Sequence, residues 1–348
     1  MTVESTRRDI IKRLCNGDPP RLWCPPLTHY RGDGSLDLIR IEAHWRAMLP
    51  HVSSFLVPGS TGDAWEMIQD EINHLLDFSM ELAARLEARL LVGMLKPDTD
   101  QVRTAMQRMI EGIKRRSGED DPIAAMAAVR AVAFTVTAPH GEGLSQESIK
   151  AGLSVVLGTG LPVALYQLPQ ITGNEVAPET FAELADSYPN LILFKDSSGK
   201  DTVALADKGE SGVFLTRGAE GDYARWARET GGPYHGWLLS TGNCFGRQLA
   251  EIRDSLAGSL LSDARGKSDR LTRVIEKLFA LVADLPAGNP FANANKAADH
   301  YMAFGPDALD VEPPMLHAGE RLPREIIEKA GKILKDADMM PEKGYLEG

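Results

Sequence analysis

The chain is most constrained by a series of eight short β-type segments, each followed by a stretch with the periodicity of an amphipathic helix. The segments are Arg21–Leu27, Ser53–Gly59, Arg89–Met94, Ala131–Ala138, Pro162–Leu168, Leu191–Asp196, Gly212–Arg217 and Gly236–Thr241. From Val102 to Ile113, for example, apolar residues recur at spacings of three and four and form one helical face. Strands that alternate with helices predict an α/β fold with a parallel sheet. Eight strands favour a closed (β/α)₈ TIM barrel over an open doubly wound sheet.

The length of the chain suits this fold and leaves room for an extension. A barrel of this type takes about 250 residues, and the chain has 348. We predict a barrel over residues 1–260, preceded by a short N-terminal helix, and a C-terminal helical extension over residues 261–348 that packs on the barrel. No GxGxxG pattern of a dinucleotide-binding fold is present.

The charge and cysteine content of the chain argue against several classes of partner. The formal net charge is -11, whereas phosphate binding requires a basic face. The dense basic cluster Lys114–Arg116 is followed by acidic residues and is typical of an exposed helix end. The sequence has no signal-peptide core, no apolar run of the ~20 residues that span a membrane, and three cysteines without paired spacing. These features predict a cytoplasmic protein with free thiols that binds neither nucleic acid nor membrane.

Lys195 is the most informative candidate residue, because it follows four apolar residues at the end of the sixth predicted strand. Catalytic groups of a (β/α)₈ barrel lie at the carboxyl ends of the strands. A lysine among buried neighbours is costly unless it is paired or its pKa falls, and a readily deprotonated lysine is what Schiff-base chemistry requires. The alternative is a lysine paired with the adjacent Asp196. The residue pattern alone leaves both interpretations open.

Other predicted strand ends carry further candidate groups. Ser60 and Thr61 lie between glycines, in a turn whose N–H groups and hydroxyls suit a carboxylate; an ordinary strand-to-helix connection is the alternative. Tyr166 ends the fifth strand, where its hydroxyl serves either as an acid and base or as a polar group of the core. Trp65 is interpreted as an aromatic residue that packs a helix, with a role at the site entrance as the alternative.

The histidines and serines disfavour two other enzyme classes. The eight histidines show no HxH or HExxH spacing, which argues against a zinc-dependent (class II) aldolase. No G-x-S-x-G elbow of a serine hydrolase is present. We therefore predict that the protein uses no metal and no cofactor.

Taken in order, these motifs resemble the dihydrodipicolinate synthase / N-acetylneuraminate lyase family from about Leu22 to Pro323. The motifs that carry the resemblance are Pro26–Thr28 with Asp33–Gly34, Gly59–Asp63, Leu165–Pro169 with Thr172–Gly173, Phe194–Gly199, Gly218, Gly231–Asn243 and Asn289–Lys296. Each motif is weak by itself, whereas the ordered series is specific. The resemblance implies a class I aldolase that binds pyruvate through a lysine Schiff base.

The resemblance also implies roles for single residues. The catalytic residues would be Lys195 as the Schiff-base lysine, Tyr166 as the proton shuttle, and Ser60; His140, which departs from the family pattern, is a further candidate. The substrate-binding residues would be Ser60 and Thr61 at the keto-acid carboxylate, Gly218, and Leu238 through its backbone.

Two departures from the family pattern concern the second substrate. The arginine with which the synthases bind the aldehyde's carboxylate falls at Ile171, which argues against aspartate semialdehyde as the substrate. The usual tyrosine pair after the fourth strand is replaced by Pro139 and His140. His140 either substitutes as a proton carrier, because imidazole titrates near neutrality, or is a loop residue without a role.

We therefore expect a lyase that cleaves or forms a C–C bond between pyruvate, or another 2-keto acid, and an aldehyde. A dehydratase or hydratase-aldolase on the same scaffold, again using Lys195, is the first alternative. A non-catalytic keto-acid-binding protein is the second. The resemblance further implies a homo-oligomer, either a dimer or a tetramer, whose partners are small-molecule 2-keto acids and aldehydes.

Overall fold

The computed structural model of the chain describes residues 2–347 and contains the predicted (β/α)₈ barrel. The eight strands are β1 (Leu22–Trp23), β2 (Ser54–Val57), β3 (Arg89–Gly93), β4 (Ala131–Thr137), β5 (Val163–Gln167), β6 (Leu191–Asp196), β7 (Phe214–Arg217) and β8 (Gly236–Leu238). All neighbouring strands are parallel, and β8 pairs with β1. A bridge between Cys24 and Phe55 joins β1 to β2 and nearly closes the barrel.

Helices cover the outside of the barrel and form the C-terminal part of the chain. They are α1 (Val3–Cys15), α2 (Leu38–Met48), α3 (Gln69–Leu86), α4 (Thr99–Ser117), α5 (Pro122–Ala128), α6 (Gln146–Leu157), α7 (Pro169–Thr172), α8 (Pro178–Ser187), α9 (Thr202–Asp207), α10 (Gly242–Ala257), α11 (Leu261–Val282), α12 (Pro290–Phe304) and α13 (Arg324–Asp336). None of these described helices combines the length and apolarity that a membrane crossing requires.

Several helix boundaries follow from local sequence signals. The Asp98 carboxylate accepts a hydrogen bond from the Gln101 N–H and begins α4, which ends at Gly118 in the left-handed region (φ 75°). The basic cluster Lys114–Arg116 lies in the last turn of α4, at an exposed helix end as predicted. Asp121 then caps the next helix, α5. Ser145 caps α6 in the same way, by accepting from the Ser148 N–H.

Seven of the eight strands are shorter than the sequence predicts, and only β6 has the predicted length. Strand β1 was expected to reach Leu27 but has only two residues, because Pro25 and Pro26 have no N–H to donate to a neighbouring strand. The segment after Trp23 instead continues as an irregular chain across the mouth of the barrel. Strand β4, by contrast, is buried at all seven positions, as expected of a parallel strand covered on both faces.

Helix α12 brings the C-terminal part of the chain to the barrel mouth. It packs against α10, α11 and α13 and also against the 3-10 turn Ser60–Gly62 that follows β2. Asn289 caps its first turn by accepting from the Ala292 N–H. Most of its residues are buried, including Lys296 and Asp299, so their side chains require polar partners within the protein.

Candidate active site

Lys195 lies at the carboxyl end of β6 and is almost completely buried, with 4% of its surface exposed. Its Nζ is 3.8 Å from the centre of the Tyr166 ring on the neighbouring strand β5. No carboxylate of residues 2–347 lies within salt-bridge distance of this Nζ. Asp196 instead accepts a hydrogen bond from the Ser198 N–H at 2.9 Å, because consecutive side chains of a strand point to opposite faces. The interpretation of Lys195 as a lysine paired with Asp196 is therefore wrong.

Gly218, at the end of β7, allows the Lys195 side chain to lie where it does. A Cβ atom at this position would be 2.7 Å from Lys195 Cε and 2.1 Å from Ser197 Oγ. Any side chain at position 218 would therefore displace the lysine. The Gly218 N–H donates to the Asp196 carbonyl at 2.6 Å, which holds the two strand ends together.

The turn that contains Ser60 and Thr61 packs closely on the segment after β1. A Cβ atom at Gly59 would be 2.6 Å from Pro25 Cβ, and one at Gly62 would be 2.7 Å from the Pro26 carbonyl oxygen. The backbone N–H groups of Ser60 and Thr61 donate no hydrogen bond to any residue in the described range. Two adjacent free N–H groups suit an anion such as a carboxylate.

Trp65 connects this turn to the tyrosine. Its indole Nε1–H donates to Ser60 Oγ at 2.9 Å, and its ring packs on a small apolar cluster that contains Leu95, Tyr166 and Leu168. Its ring centre is 5.2 Å from that of His140. Trp65 lies in the turn before α3, so its interpretation as a helix-packing aromatic is wrong and the alternative at the site entrance is favoured.

Tyr166 and His140 both present unpartnered polar atoms. Tyr166 is 3% exposed, and its hydroxyl has no hydrogen-bond partner among residues 2–347. The backbone N–H of His140 donates to the Pro97 carbonyl at 3.0 Å. The ring Nε2 of His140 is buried and has no hydrogen-bond partner in the described structure. Burial lowers the pKa of His140, which favours the neutral imidazole.

The carboxylate of Asp63 is held by groups for which sequence analysis predicted no role. Its Oδ2 accepts from Lys296 Nζ at 3.0 Å and from the Tyr30 hydroxyl at 3.1 Å. Asn289 Nδ2 donates to the Ser60 carbonyl at 3.2 Å. The family resemblance includes Asn289–Lys296 among its motifs, but no local pattern indicates that this helix reaches the turn after β2.

Glu220 is a further acidic group at the barrel mouth that sequence analysis missed. Its carboxylate accepts from Ser240 Oγ at 2.6 Å and from the Thr241 N–H at 3.1 Å, and so joins the loop after β7 to the end of β8. Leu238, the residue predicted to present its backbone to the substrate, is the last residue of β8 and is fully buried. The one sequence feature that could have indicated Glu220 is its position two residues after Gly218.

Position 171, to which the family resemblance assigns an arginine, is apolar here. Ile171 lies in α7 with 44% of its surface exposed. Arg217 at the end of β7 does not replace the missing cation, because its Nε donates to Asp201 Oδ1 at 3.1 Å and its Nη1 to the Ala219 carbonyl at 2.9 Å.

A buried polar cluster lies between α2 and α12. His29, His44 and Asp299 offer three potential metal ligands whose atoms lie within 4.8 Å of one another. The Asp299 carboxylate, however, already accepts from Arg40 Nη2 at 3.2 Å and from the Tyr345 hydroxyl at 3.1 Å. We interpret the cluster as a charge network that joins the two helices, because the arginine occupies the position of a cation beside the carboxylate.

Fold and site together define a class of protein: a (β/α)₈ barrel with a buried lysine at the end of the sixth strand, beside a tyrosine. The model of the dihydrodipicolinate synthetase family matches residues 127–289. The 4-hydroxy-tetrahydrodipicolinate synthase of Streptococcus pneumoniae (strain Taiwan19F-14) is 25% identical over 325 residues, covering 92% of this chain and 93% of the relative. The synthase of the same name from Agrobacterium fabrum is 24% identical over 256 residues, covering 73% and 80%.

A solved structure shows the same fold over most of the chain. YagE, a prophage protein of the dihydrodipicolinic acid synthase family from E. coli K12 in complex with pyruvate, superposes with a TM-score of 0.70 at 21% identity, covering 91% of this chain and 98% of YagE. The match of this family's model to residues 127–289, together with these relatives, confirms the resemblance that the motifs predicted. Proteins of this family are pyruvate-dependent aldolases and lyases.

Proposed function

We propose that this protein is a lyase that cleaves or forms a C–C bond between pyruvate and an aldehyde through a Schiff base at Lys195. The observation that carries the proposal is the environment of Lys195, which is buried, lies 3.8 Å from the Tyr166 ring centre and has no carboxylate partner in the described structure. The lysine amine is the nucleophile in Schiff-base formation, and no carboxylate of the described structure pairs with Lys195 Nζ.

The roles of the remaining site residues are assigned from the polar groups or the space that each of them presents to the site. The unpaired N–H groups of Ser60 and Thr61, with the Ser60 hydroxyl, are proposed to bind the keto-acid carboxylate. The unpartnered hydroxyl of Tyr166 is proposed to carry protons. Gly218 provides space beside the lysine. Leu238 is proposed to face the bound keto acid with its backbone.

The proposed chemistry follows from these positions. The Lys195 amine attacks the carbonyl carbon of pyruvate, and loss of water gives an iminium. Tyr166 gives its hydroxyl proton to the departing water, and the resulting phenolate takes a proton from the methyl carbon of the iminium, which becomes an enamine. In the synthetic direction the enamine carbon bonds to the aldehyde carbon, and the alkoxide takes a proton from Tyr166. Hydrolysis then frees the lysine and the product.

Borohydride trapping tests the proposal directly. Incubation with pyruvate and borohydride is expected to add the mass of a reduced pyruvyl group to the peptide that contains Lys195. The matched control is Lys200→Ala, which removes an exposed lysine at the same end of the barrel and is expected to leave trapping intact. Labelling of another lysine, or of none with any 2-keto acid, would overturn the mechanism.

The two alternative functions differ in their products. A dehydratase would also be trapped at Lys195 but would release water from a longer keto acid without freeing pyruvate. A binding protein would show saturable keto-acid binding with no product. We further propose a homo-oligomer in the cytoplasm, as the family resemblance and unpaired cysteines imply, and light scattering after gel filtration tests the oligomeric state.

A further inference from the structure

The hydrogen bond between Trp65 and Ser60 fixes the direction in which the serine hydroxyl points. An indole N–H only donates, so Ser60 Oγ must accept this bond, which has a length of 2.9 Å. The hydroxyl hydrogen of Ser60 is then left to donate elsewhere. Beside it lie the free N–H groups of Ser60 and Thr61, and a carboxylate bound by these groups would receive the serine hydrogen as a third hydrogen bond.

The ring of Trp65 faces the other part of the site. It packs on the cluster that contains Tyr166 and Leu168, and it lies 5.2 Å from the His140 ring at a tilt of 52°. Burial lowers the pKa of His140, which favours its neutral form. Ile171 is apolar, and Arg217 is already bonded to Asp201. The Trp65 ring beside Tyr166 is thus aromatic, the His140 ring is its neighbour, and neither Ile171 nor Arg217 supplies a free cation there.

We infer that Trp65 is both a positioning and a specificity residue of this site. Its N–H orients the Ser60 hydroxyl toward the keto-acid carboxylate, and its ring, with that of His140, forms the wall for the aldehyde's substituent. The acceptor aldehyde consequently carries a planar apolar substituent and no carboxylate, because an anion on this wall would lose its hydration without gaining a partner. This inference rests on the proposed Schiff-base function.

A double-mutant cycle tests the positioning role. Trp65→Phe removes the N–H and keeps an aromatic ring, and we expect it to raise the pyruvate concentration for half-maximal borohydride trapping about 3- to 10-fold, as the loss of one hydrogen bond. In a Ser60→Ala background the same substitution should change this concentration by less than about 2-fold, since the partner of the N–H is absent. Trp226→Phe is the matched control, because the Trp226 indole N–H is buried without a partner in the described structure.

The outcomes of this cycle separate the inference from the proposed function. Equal losses in the two backgrounds would show that Trp65 acts on the site without Ser60 and would overturn the positioning role. Failure of the unsubstituted protein to trap any 2-keto acid would overturn the proposed function itself, and this inference with it.

A comparison of two aldehydes tests whether the rings of Trp65 and His140 form the wall for the aldehyde's substituent. With pyruvate as donor, we expect condensation with benzaldehyde to have at least a tenfold higher kcat/KM than condensation with glyoxylate, a small anionic aldehyde. Trp65→Leu removes the aromatic plane and is expected to reduce this preference several-fold, chiefly through the KM for benzaldehyde, whereas Trp65→Phe should retain most of it. A preference for glyoxylate, or one that Trp65→Leu leaves unchanged, would overturn the assignment of the wall.

Discussion

Lys296 of α12 lies 3.0 Å from the carboxylate of Asp63 in the turn after β2, and both side chains are almost completely buried, with 1% and 3% exposed. Asp63 adopts a left-handed backbone conformation (φ 62°), which Asp and Asn tolerate better than most residues. The ion pair thus holds the C-terminal part of the chain against the turn that carries Ser60.

Lys296→Met is expected to lower the free energy of unfolding by about 3–5 kcal/mol, because it leaves the Asp63 carboxylate buried without a counter-ion. Adding Asp63→Asn should recover much of this loss, since asparagine suits the same backbone conformation and carries no charge. Urea unfolding measures both effects. Lys329→Met, which breaks an exposed i,i+4 pair with Glu325, should cost less than about 1 kcal/mol. A similar small cost for Lys296→Met would contradict the importance of the buried pair.

The roles of Tyr166 and Lys195 are expected to separate under substitution. Tyr166→Phe removes one hydroxyl and preserves the ring that lies beside the lysine, so turnover should fall about 10²–10⁴-fold while pyruvate is still trapped on Lys195. Lys195→Ala should abolish trapping at that position. Circular dichroism and thermal melting establish that both variants are folded. A Tyr166→Phe protein that melts much lower but retains its turnover would instead show that the hydroxyl serves the core.

The aldehyde's charge should matter because Ile171 is apolar. Aspartate semialdehyde is expected to be a poor substrate, with a kcat/KM more than about tenfold below that of an uncharged aldehyde, since its carboxylate lacks a bidentate partner. Ile171→Arg should raise the rate with aspartate semialdehyde selectively. The control is Leu205→Arg, which places an arginine at a comparably exposed apolar position on α9. Efficient use of aspartate semialdehyde by the unsubstituted protein would contradict this reading of the site.

Asp299 is expected to make stability depend on pH in the acid range. Burial by itself raises the pKa of Asp299, but His44, His29 and Arg40 outweigh this effect and hold the pKa well below its usual range. A carboxyl group whose pKa is lowered by folding contributes stability above its unfolded pKa of about 3.9. This contribution is lost as the pH falls toward the folded pKa.

Asp299→Asn should therefore lower the free energy of unfolding by about 3 kcal/mol at pH 7, because Arg40 loses its buried counter-ion. The difference from the unsubstituted protein should shrink below about pH 4. Urea unfolding at pH 7 and pH 3 measures it, with the exposed Asp338→Asn as control. A difference that is the same at both pH values would show that the loss comes from packing rather than from charge.

Much of the fold and part of the site were accessible from the sequence because both follow local patterns. All eight strands lie within their predicted segments, since short β-type runs between helical periods are a local signal. Lys195 was singled out for the same reason, as one charged residue at the end of an apolar run. The interpretation of Trp65 failed because its partner, the Ser60 hydroxyl, belongs to a turn whose shape the sequence does not reveal.

The sequence by itself determined the barrel, the order of its strands and the candidate lysine. Only the tertiary structure decided whether that lysine is paired. Asp196 is adjacent in sequence but points to the opposite face, while Tyr166, 29 positions earlier, lies against the lysine through strand pairing. The tertiary structure also decided that Lys296 contacts Asp63, although the two residues are 233 positions apart in sequence. Such contacts depend on how the helices pack on the barrel. They form because two buried charges need each other as partners, and no local sequence pattern indicates them.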